Sequence, residues 1–262
     1  MNIFFTKAHG ARNDFLLTWR NNLPDAFDAP AAAIAICDRH TGAGADGWLL
    51  LSPSESADAA IELWNSDGSR SEISGNGTRC AAAFLISSGR ASENVQIHTG
   101  AGMKHLRLLD RDGRRFSFEM NMGAAVIEQL RADILDYDAT ILNVGNPQCA
   151  VFAEHFDFDW RALGAAIERH WQFPNRTNVS FIRRIDEHTL DVRFFERGAG
   201  ETMSSGTGST GAAAAAFARG LVQNPVSVLT PAGPLAIRWE NQDILLAGPA
   251  EIVASGEFYW DA

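Results

Sequence analysis

The sequence predicts a mixed α/β (α+β) protein made of two similar halves. The first observation is a motif written twice. Residues 74–83 and 205–214 both follow S-G-x-G-x-x-x-A-A-A. The second is its spacing: the copies start 131 residues apart (205 less 74), half of the 262-residue chain, as a duplicated domain requires. The third is context, since each copy interrupts a run of short strand-like segments with one small-residue helix.

Each motif reads as a loop opening a helix. The glycines permit close backbone approach, and alanine is the best helix former. The first helix should run through Phe84, Leu85 and Ile86 and stop near Gly89; the second should run through Phe217 and stop near Gly220. Ser74 and Ser205 stand at the N-cap positions, where serine is favoured. Helix N-termini carry unpaired N–H groups and the positive end of the dipole, so two such ends facing each other would hold a carboxylate. Singly, each serine is best read as a cap; as a symmetric pair, a shared chemical role is the better reading.

The remaining elements follow in order. Asn2–Phe5 and Phe15–Thr18 read as strands around a polar turn that includes Asn13. Ala29–Arg39 reads as a helix with Pro30 near its start. Strands are expected at Trp48–Leu51, Ile61–Trp64, Val95–Thr99, Met103–Leu109 and Arg115–Met120, with a turn at Asn65–Ser69 and a hairpin at Asp112-Gly113. The second half repeats the plan. Strands are expected at Ala139–Val144, Cys149–Phe152, Val179–Arg183, Thr189–Phe195, Val226–Thr230, Leu235–Trp239, Ile244–Ala247 and Glu251–Ala254, with an amphipathic helix at Phe158–Arg169. The expected domains are 1–120, to which 255–262 returns, and 121–254.

Hydrophobic content of 46% with 21% charged residues is ordinary for a globular chain. A net charge of −10 argues against a nucleic-acid footprint. No signal peptide and no span of roughly 18 apolar residues is seen, so no membrane partner is expected and the cytoplasm is the expected location. Cys37, Cys80 and Cys149 are odd in number and widely spaced, which implies neither a disulfide framework nor a metal site. All three read as buried small hydrophobes.

Two motif matches fail on context. Gly42–Gly47 fits G-x-G-x-x-G, but a helix precedes it and a strand follows, the reverse of a dinucleotide site. Gly206-x-Gly208-x-x-Gly211 opens a helix, yet no acid lies near 20 residues onward; after Glu201 the next is Glu240. A serine hydrolase fits badly as well, because Glu72 and Met203 occupy the first glycine position of G-x-S-x-G.

Taken together, the motifs resemble those of the diaminopimelate epimerase family, over nearly the whole chain. The resemblance rests on His9-Gly10 with Asn13-Asp14-Phe15, Asp38-Arg39-His40 with Gly42–Gly47, and Asn65 with Asp67-Gly68-Ser69. Gly75-Asn76-Gly77 with Arg79-Cys80, Gly145-Asn146-Pro147, Asn178, Glu196–Thr202 and Gly206-Thr207-Gly208 add to it. It implies two similar α/β domains, each a strand-rich barrel around a central helix, with the site in the cleft between them. It also implies a pyridoxal-independent, cofactor-free enzyme of lysine and peptidoglycan biosynthesis, commonly a homodimer, that interconverts LL- and meso-diaminopimelate. One thiolate removes the α-proton and a second thiol reprotonates the opposite face.

By the same resemblance, Asn13, Asn65, Asn146, Asn178 and Arg197 would bind the distal amino-acid end of the substrate. Arginine suits a carboxylate through its bidentate fork. Glu196 would accept from the α-ammonium. Gly75, Asn76, Gly206 and Thr207 would line the α-carboxylate site, where the helix starts stabilise developing charge.

The chain departs from the family where the chemistry lies. Ser74 and Ser205 stand at both thiol positions, and a hydroxyl is a far weaker acid than a thiol of pKa about 8.5. Serine needs an adjacent base, and no sequence neighbour is an obvious one. Gln148 replaces a histidine of Gly-Asn-Pro-His and cannot titrate. Three accounts stay open: a true epimerase pocket with its thiols replaced and turnover impaired; a divergent isomerase or lyase that recruits another base such as Glu196; and a non-catalytic amino-acid-binding protein.

Overall fold

The computed structural model describes residues 1–260; positions 261–262 of the expected return segment lie outside the described residues. In the first half the elements are β1 (Asn2–Gly10), β2 (Asn13–Trp19), α1 (Ala29–Cys37), β3 (Gly47–Ser52), β4 (Ala59–Asn65), β5 (Arg70–Ser71), α2 (Gly75–Ser87), β6 (Asn94–Thr99), β7 (Gly102–Asp112) and β8 (Arg115–Gly123). Then come β9 (Val126–Ile134), β10 (Tyr137–Asn143), β11 (Pro147–Phe152), α3 (Trp160–Glu168), β12 (Asn178–Asp186), β13 (Thr189–Glu196) and β14 (Gly200–Thr202). The chain closes with α4 (Gly206–Ala218), β15 (Val226–Thr230), β16 (Gly233–Glu240) and β17 (Asp243–Tyr259). Two compact units result: Met1–Met120 with the described part of the segment that begins at Gly248, and Asn121–Ala247. The return thus starts at Gly248, where the sequence reading put it at 255.

In the first unit, strand pairing closes on itself. β1 lies between β17 and β2; β2 runs parallel to β3, β3 antiparallel to β4, β4 parallel to β6, and β6, β7 and β8 follow antiparallel. β8 pairs back with β17, completing a barrel that leaves no free sheet edge. The second unit repeats the order with the same senses: β9–β10–β11 antiparallel, β11–β12 parallel, β12–β13 antiparallel, β13–β15 parallel, then β16 and β17 antiparallel. Each unit also carries a short strand, β5 on β4 and β14 on β13.

One helix fills each strand layer. In α2 every residue from Gly75 to Ala83 is buried, and in α4 every residue from Gly206 to Ala216. A helix apolar or small all round belongs inside, and Ala and Gly keep it thin enough for strands to wrap it. α1 and α3 sit on the outer side. Ile36 and Cys37 of α1 cluster with Ile3, Leu16 and Trp48; Trp160 and Ile167 of α3 cluster with Cys149, Val151 and Phe181.

Four details differ from the sequence reading. Asn13 opens β2 opposite Gly10, and the turn is made by Ala11 and Arg12, both left-handed at φ +49° and +62°. α1 ends at Cys37 because the Asp38 carboxylate takes the N–H groups of His40 and Thr41, at 2.8 and 2.6 Å. β9 escaped notice because seven of its nine residues are at least partly exposed, so no apolar alternation marks it. β17 is one strand, not two: Gly248-Pro249 breaks the apolar pattern but not the extended backbone.

Candidate functional site

The two helix starts share one geometry. Ser74 (φ −130°, ψ 122°) and Ser205 (φ −134°, ψ 124°) are extended N-caps. Ser74 Oγ accepts the Gly77 N–H at 3.1 Å and Ser205 Oγ the Gly208 N–H at 3.0 Å. Ser74 is half-buried and Ser205 buried. The cap reading therefore holds for both, and both hydroxyls sit at the positive end of a 13-residue helix.

Their surroundings differ. Ser205 Oγ donates to Glu196 Oε1 at 2.5 Å. Glu196 ends β13; the turn through Arg197–Ala199 returns along β14, with Glu196 paired to Gly200, and brings the chain back to α4. The repeat places Asn65, the last residue of β4, at the matching position: both precede their serine by nine residues (74 less 65; 205 less 196). The Asn65 amide donates to Ser69 Oγ at 2.9 Å. Among the described residues no carboxylate is hydrogen-bonded to Ser74. One helix start thus has a carboxylate on its serine where the other has an amide in the same place in the repeat.

Within the first unit, Asn13 and Asn76 meet. Asn76 Nδ2 donates to Asn13 Oδ1 at 3.2 Å, and Asn13 Nδ2 donates to Asp46 Oδ2 at 2.7 Å. Asp46 is held in turn by Arg39, which forks onto Asp14 at 2.7 and 3.1 Å and reaches Asp46 Oδ1 at 2.7 Å. This network ties the Gly42–Gly47 turn to β2. Burial works to raise the Asp14 pKa, but hydrogen bonds and charge from Arg39 and Lys7 outweigh it and hold the carboxyl below its ordinary value.

The second unit holds the counterpart. Gln148 Nε2 donates to Asn146 Oδ1 at 2.7 Å, and Asn146 Nδ2 donates to Thr207 Oγ1 at 3.3 Å. Thr207 occupies the repeat position of Asn76. Gln148 is buried, and glycine at 211 leaves it room, since a Cβ there would lie 3.1 Å from its Cγ. Asn178 spans the Gly-Asn-Pro turn and the loop after β13: its Nδ2 donates to the Pro147 carbonyl and its Oδ1 accepts the Arg197 N–H, both at 3.0 Å. Its amide is thus committed to holding two loops together. The Arg197 side chain is exposed, with one long contact to the Asn175 carbonyl at 3.4 Å.

Two contributors have no role in the sequence reading, although Arg79 stands in one of its motifs. Glu168, 2% exposed, accepts the Gly198 N–H at 3.0 Å and pairs with Arg169 and Arg176 at 3.2 and 3.1 Å, anchoring the loop after Glu196. An acid at a helix C-terminus opposes the dipole, and that mismatch was the available signal. Arg79 is wholly buried in α2, three residues beyond Asn76 and so on the same helix face.

The three cysteines do not stand in for the missing thiols. Burial pushes Cys37, Cys80 and Cys149 each up to about 12. At neutral pH such thiols carry almost no thiolate. No cluster of acids, histidines or cysteines suited to a metal occurs among the described residues, and none of their helices is long and apolar enough to cross a membrane.

Comparison with known proteins bears on the family and the fold. The sequence model of the diaminopimelate epimerase family matches residues 5–128 and 140–253. A diaminopimelate epimerase from Pelotomaculum thermopropionicum is 38% identical over 280 residues, covering 97% of this chain and 98% of the relative. One from Moorella thermoacetica is 36% identical over 277 residues, covering 98% and 99%. The crystal structure of a hydroxyproline epimerase from Agrobacterium vitis with bound trans-4-hydroxy-L-proline superposes with a TM-score of 0.76 at 16% identity, over 100% of this chain and 93% of that one. A phenazine biosynthesis protein of the PhzF family from Bacillus anthracis gives 0.74 at 14% identity, over 98% and 99%. The structural likenesses show the fold; the sequence match across both halves shows more, and the chain belongs to the diaminopimelate epimerase family, a family of isomerases.

Proposed function

We propose that the chain binds diaminopimelate and moves its α-proton slowly, without a cofactor, with Ser74 and Ser205 on opposite faces of the α-carbon. The observation that carries this reading is the 2.5 Å hydrogen bond from Ser205 to Glu196. A serine hydroxyl alone is not a base at neutral pH, but a carboxylate on its proton supplies one. On this face Ser205 relays the α-proton and Glu196 receives it. On the other face Ser74 donates a proton to the developing carbanion. Its hydroxyl lacks a carboxylate partner among the described residues, so removal from that side is much slower.

The helix starts support the reading. Gly75 with Asn76 and Gly206 with Thr207 open α2 and α4, and the first N–H groups of a helix suit the α-carboxylate as charge builds on it. Asn13, Asn65, Asn146, Asn178 and Arg197 would take the distal amino-acid end, Asn178 through the loops it ties rather than by a spare amide. The same Ser205–Glu196 contact favours a second reading, a divergent isomerase in which Glu196 alone is the base. Incubation of LL-diaminopimelate in D₂O tests the proposal, and Ser205→Ala, which keeps exchanging only if Glu196 alone is the base, separates the two readings. The proposal expects slow formation of meso product carrying one α-deuteron. Elimination products indicate a lyase. Binding without exchange at either epimer leaves a binding protein and removes the proposal.

A further inference from the structure

Arg79 is 0% exposed, and no carboxylate acts on it among the described residues. Its Nε donates to the Pro249 carbonyl at 3.1 Å, its Nη2 donates to Asn76 Oδ1, and its Nη1 has no hydrogen-bond partner. Burying a guanidinium this way is costly, and burial brings its pKa down to about 10. A residue needed only for packing would not be expected to carry that cost.

The contacts beyond it give the cost a purpose. An asparagine amide has a donor end and an acceptor end of nearly the same shape, so its sense is set by its neighbours. The chain Arg79 to Asn76 to Asn13 to Asp46 begins on a cation, which only donates, and ends on a carboxylate, which only accepts. With Asn76 Oδ1 held by Arg79, its Nδ2 must face Asn13 Oδ1. With Asn13 Nδ2 held by Asp46, its Oδ1 must face Asn76. In the second unit the donation runs the other way, from neutral Gln148 through Asn146 to the hydroxyl of Thr207, the repeat position of Asn76, and neither end there is charged.

We propose that Arg79 and Asp46 are positioning residues that fix the sense of the Asn76 and Asn13 amides before ligand arrives. The inference rests on the proposed function in taking Asn13 and Asn76 to meet substrate, and the test separates the two. In ¹⁵N-labelled protein without ligand, the side-chain N–H groups of both asparagines should exchange slowly with solvent. Arg79→Met should speed exchange at both about tenfold and weaken meso-diaminopimelate binding, read by calorimetry, by about tenfold. Asp46→Ala, which leaves Asn13 Nδ2 no acceptor there, should speed exchange at Asn13, leave Asn76 within about twofold, and weaken binding several-fold. A folded Arg79→Met protein with unchanged Asn76 exchange and unchanged affinity overturns the proposal. If Arg79→Met does not fold, half-exposed Asp46 decides: unchanged exchange at Asn13 in Asp46→Ala overturns it. If the unaltered chain binds no diaminopimelate, the substrate reading falls, and the exchange pattern still decides the positioning role.

Discussion

Ser205 donates its proton to Glu196 at 2.5 Å, and Ser74, its counterpart in the repeat, has Asn65 at the place Glu196 holds. The repeat has two like helix starts, and only one carries a carboxylate on its serine. If Glu196 is the base behind Ser205, Glu196→Gln keeps the shape and removes the acceptor charge. α-Hydrogen exchange of diaminopimelate in D₂O should fall by at least about 100-fold, with the fold unchanged by circular dichroism. Unequal exchange of the LL and meso forms should precede that loss, because the faces differ.

The thiols make a separate prediction. With pKa values of about 12, Cys37, Cys80 and Cys149 should resist alkylation in the folded protein at pH 8. The thiolate fraction there is roughly one in ten thousand. Titration with an aromatic disulfide should count three thiols only after denaturation, and pre-treatment of folded protein should leave exchange activity intact.

The repeated glycines are not equivalent. A Cβ at Gly208 would lie 2.8 Å from Phe194 Cδ1 and 3.0 Å from Ser205 Cβ, whereas one at Gly77 meets Ser74, Leu49 and Phe15 at 3.3–3.4 Å. Phe194 is fully buried and has nowhere to retreat. Gly208→Ala should therefore cost about 2–3 kcal/mol in urea unfolding. Gly77→Ala should stay within about 1 kcal/mol of the parent, because helix propensity offsets its tighter packing.

Acid should weaken the first unit through Asp14. Its folded pKa lies below the ordinary carboxyl value, so its contribution is full above the unfolded pKa and is lost as pH falls through the folded one. Arg39 is half-exposed, which screens the pair. Asp14→Asn should cost about 1 kcal/mol at pH 7 in urea midpoints, and the gap to the parent should close below about pH 4.

The sequence showed what local chemistry dictates. Ser before Gly-x-Gly and an alanine run set both caps, and Gly89 and Gly220, left-handed at φ +69°, set both stops. The repeat implied matching halves, and strand order and sense bear that out in every pairing except the β8–β17 contact that closes the first barrel. What it could not show depends on register. Glu196 was named as a base a divergent enzyme could recruit, but its contact with Ser205 exists only because the β13–β14 turn folds nine residues back on themselves. Arg79 lay inside a recognised motif, yet its burial and its reach to Pro249, 170 positions away, follow from barrel closure by β17. β9 stayed invisible because a mostly exposed strand has no apolar period to read.

The deciding measurement is α-deuterium uptake by LL- and meso-diaminopimelate in D₂O, comparing the chain with its Ser74→Cys/Ser205→Cys variant. A thiol is a far stronger acid than a hydroxyl, so the chain should exchange slowly and unequally and the variant at least about 100-fold faster at both epimers. A folded variant that binds diaminopimelate and exchanges no deuterium contradicts it: the serines would not be what limits the chemistry, and Gln148 would be the next residue to change.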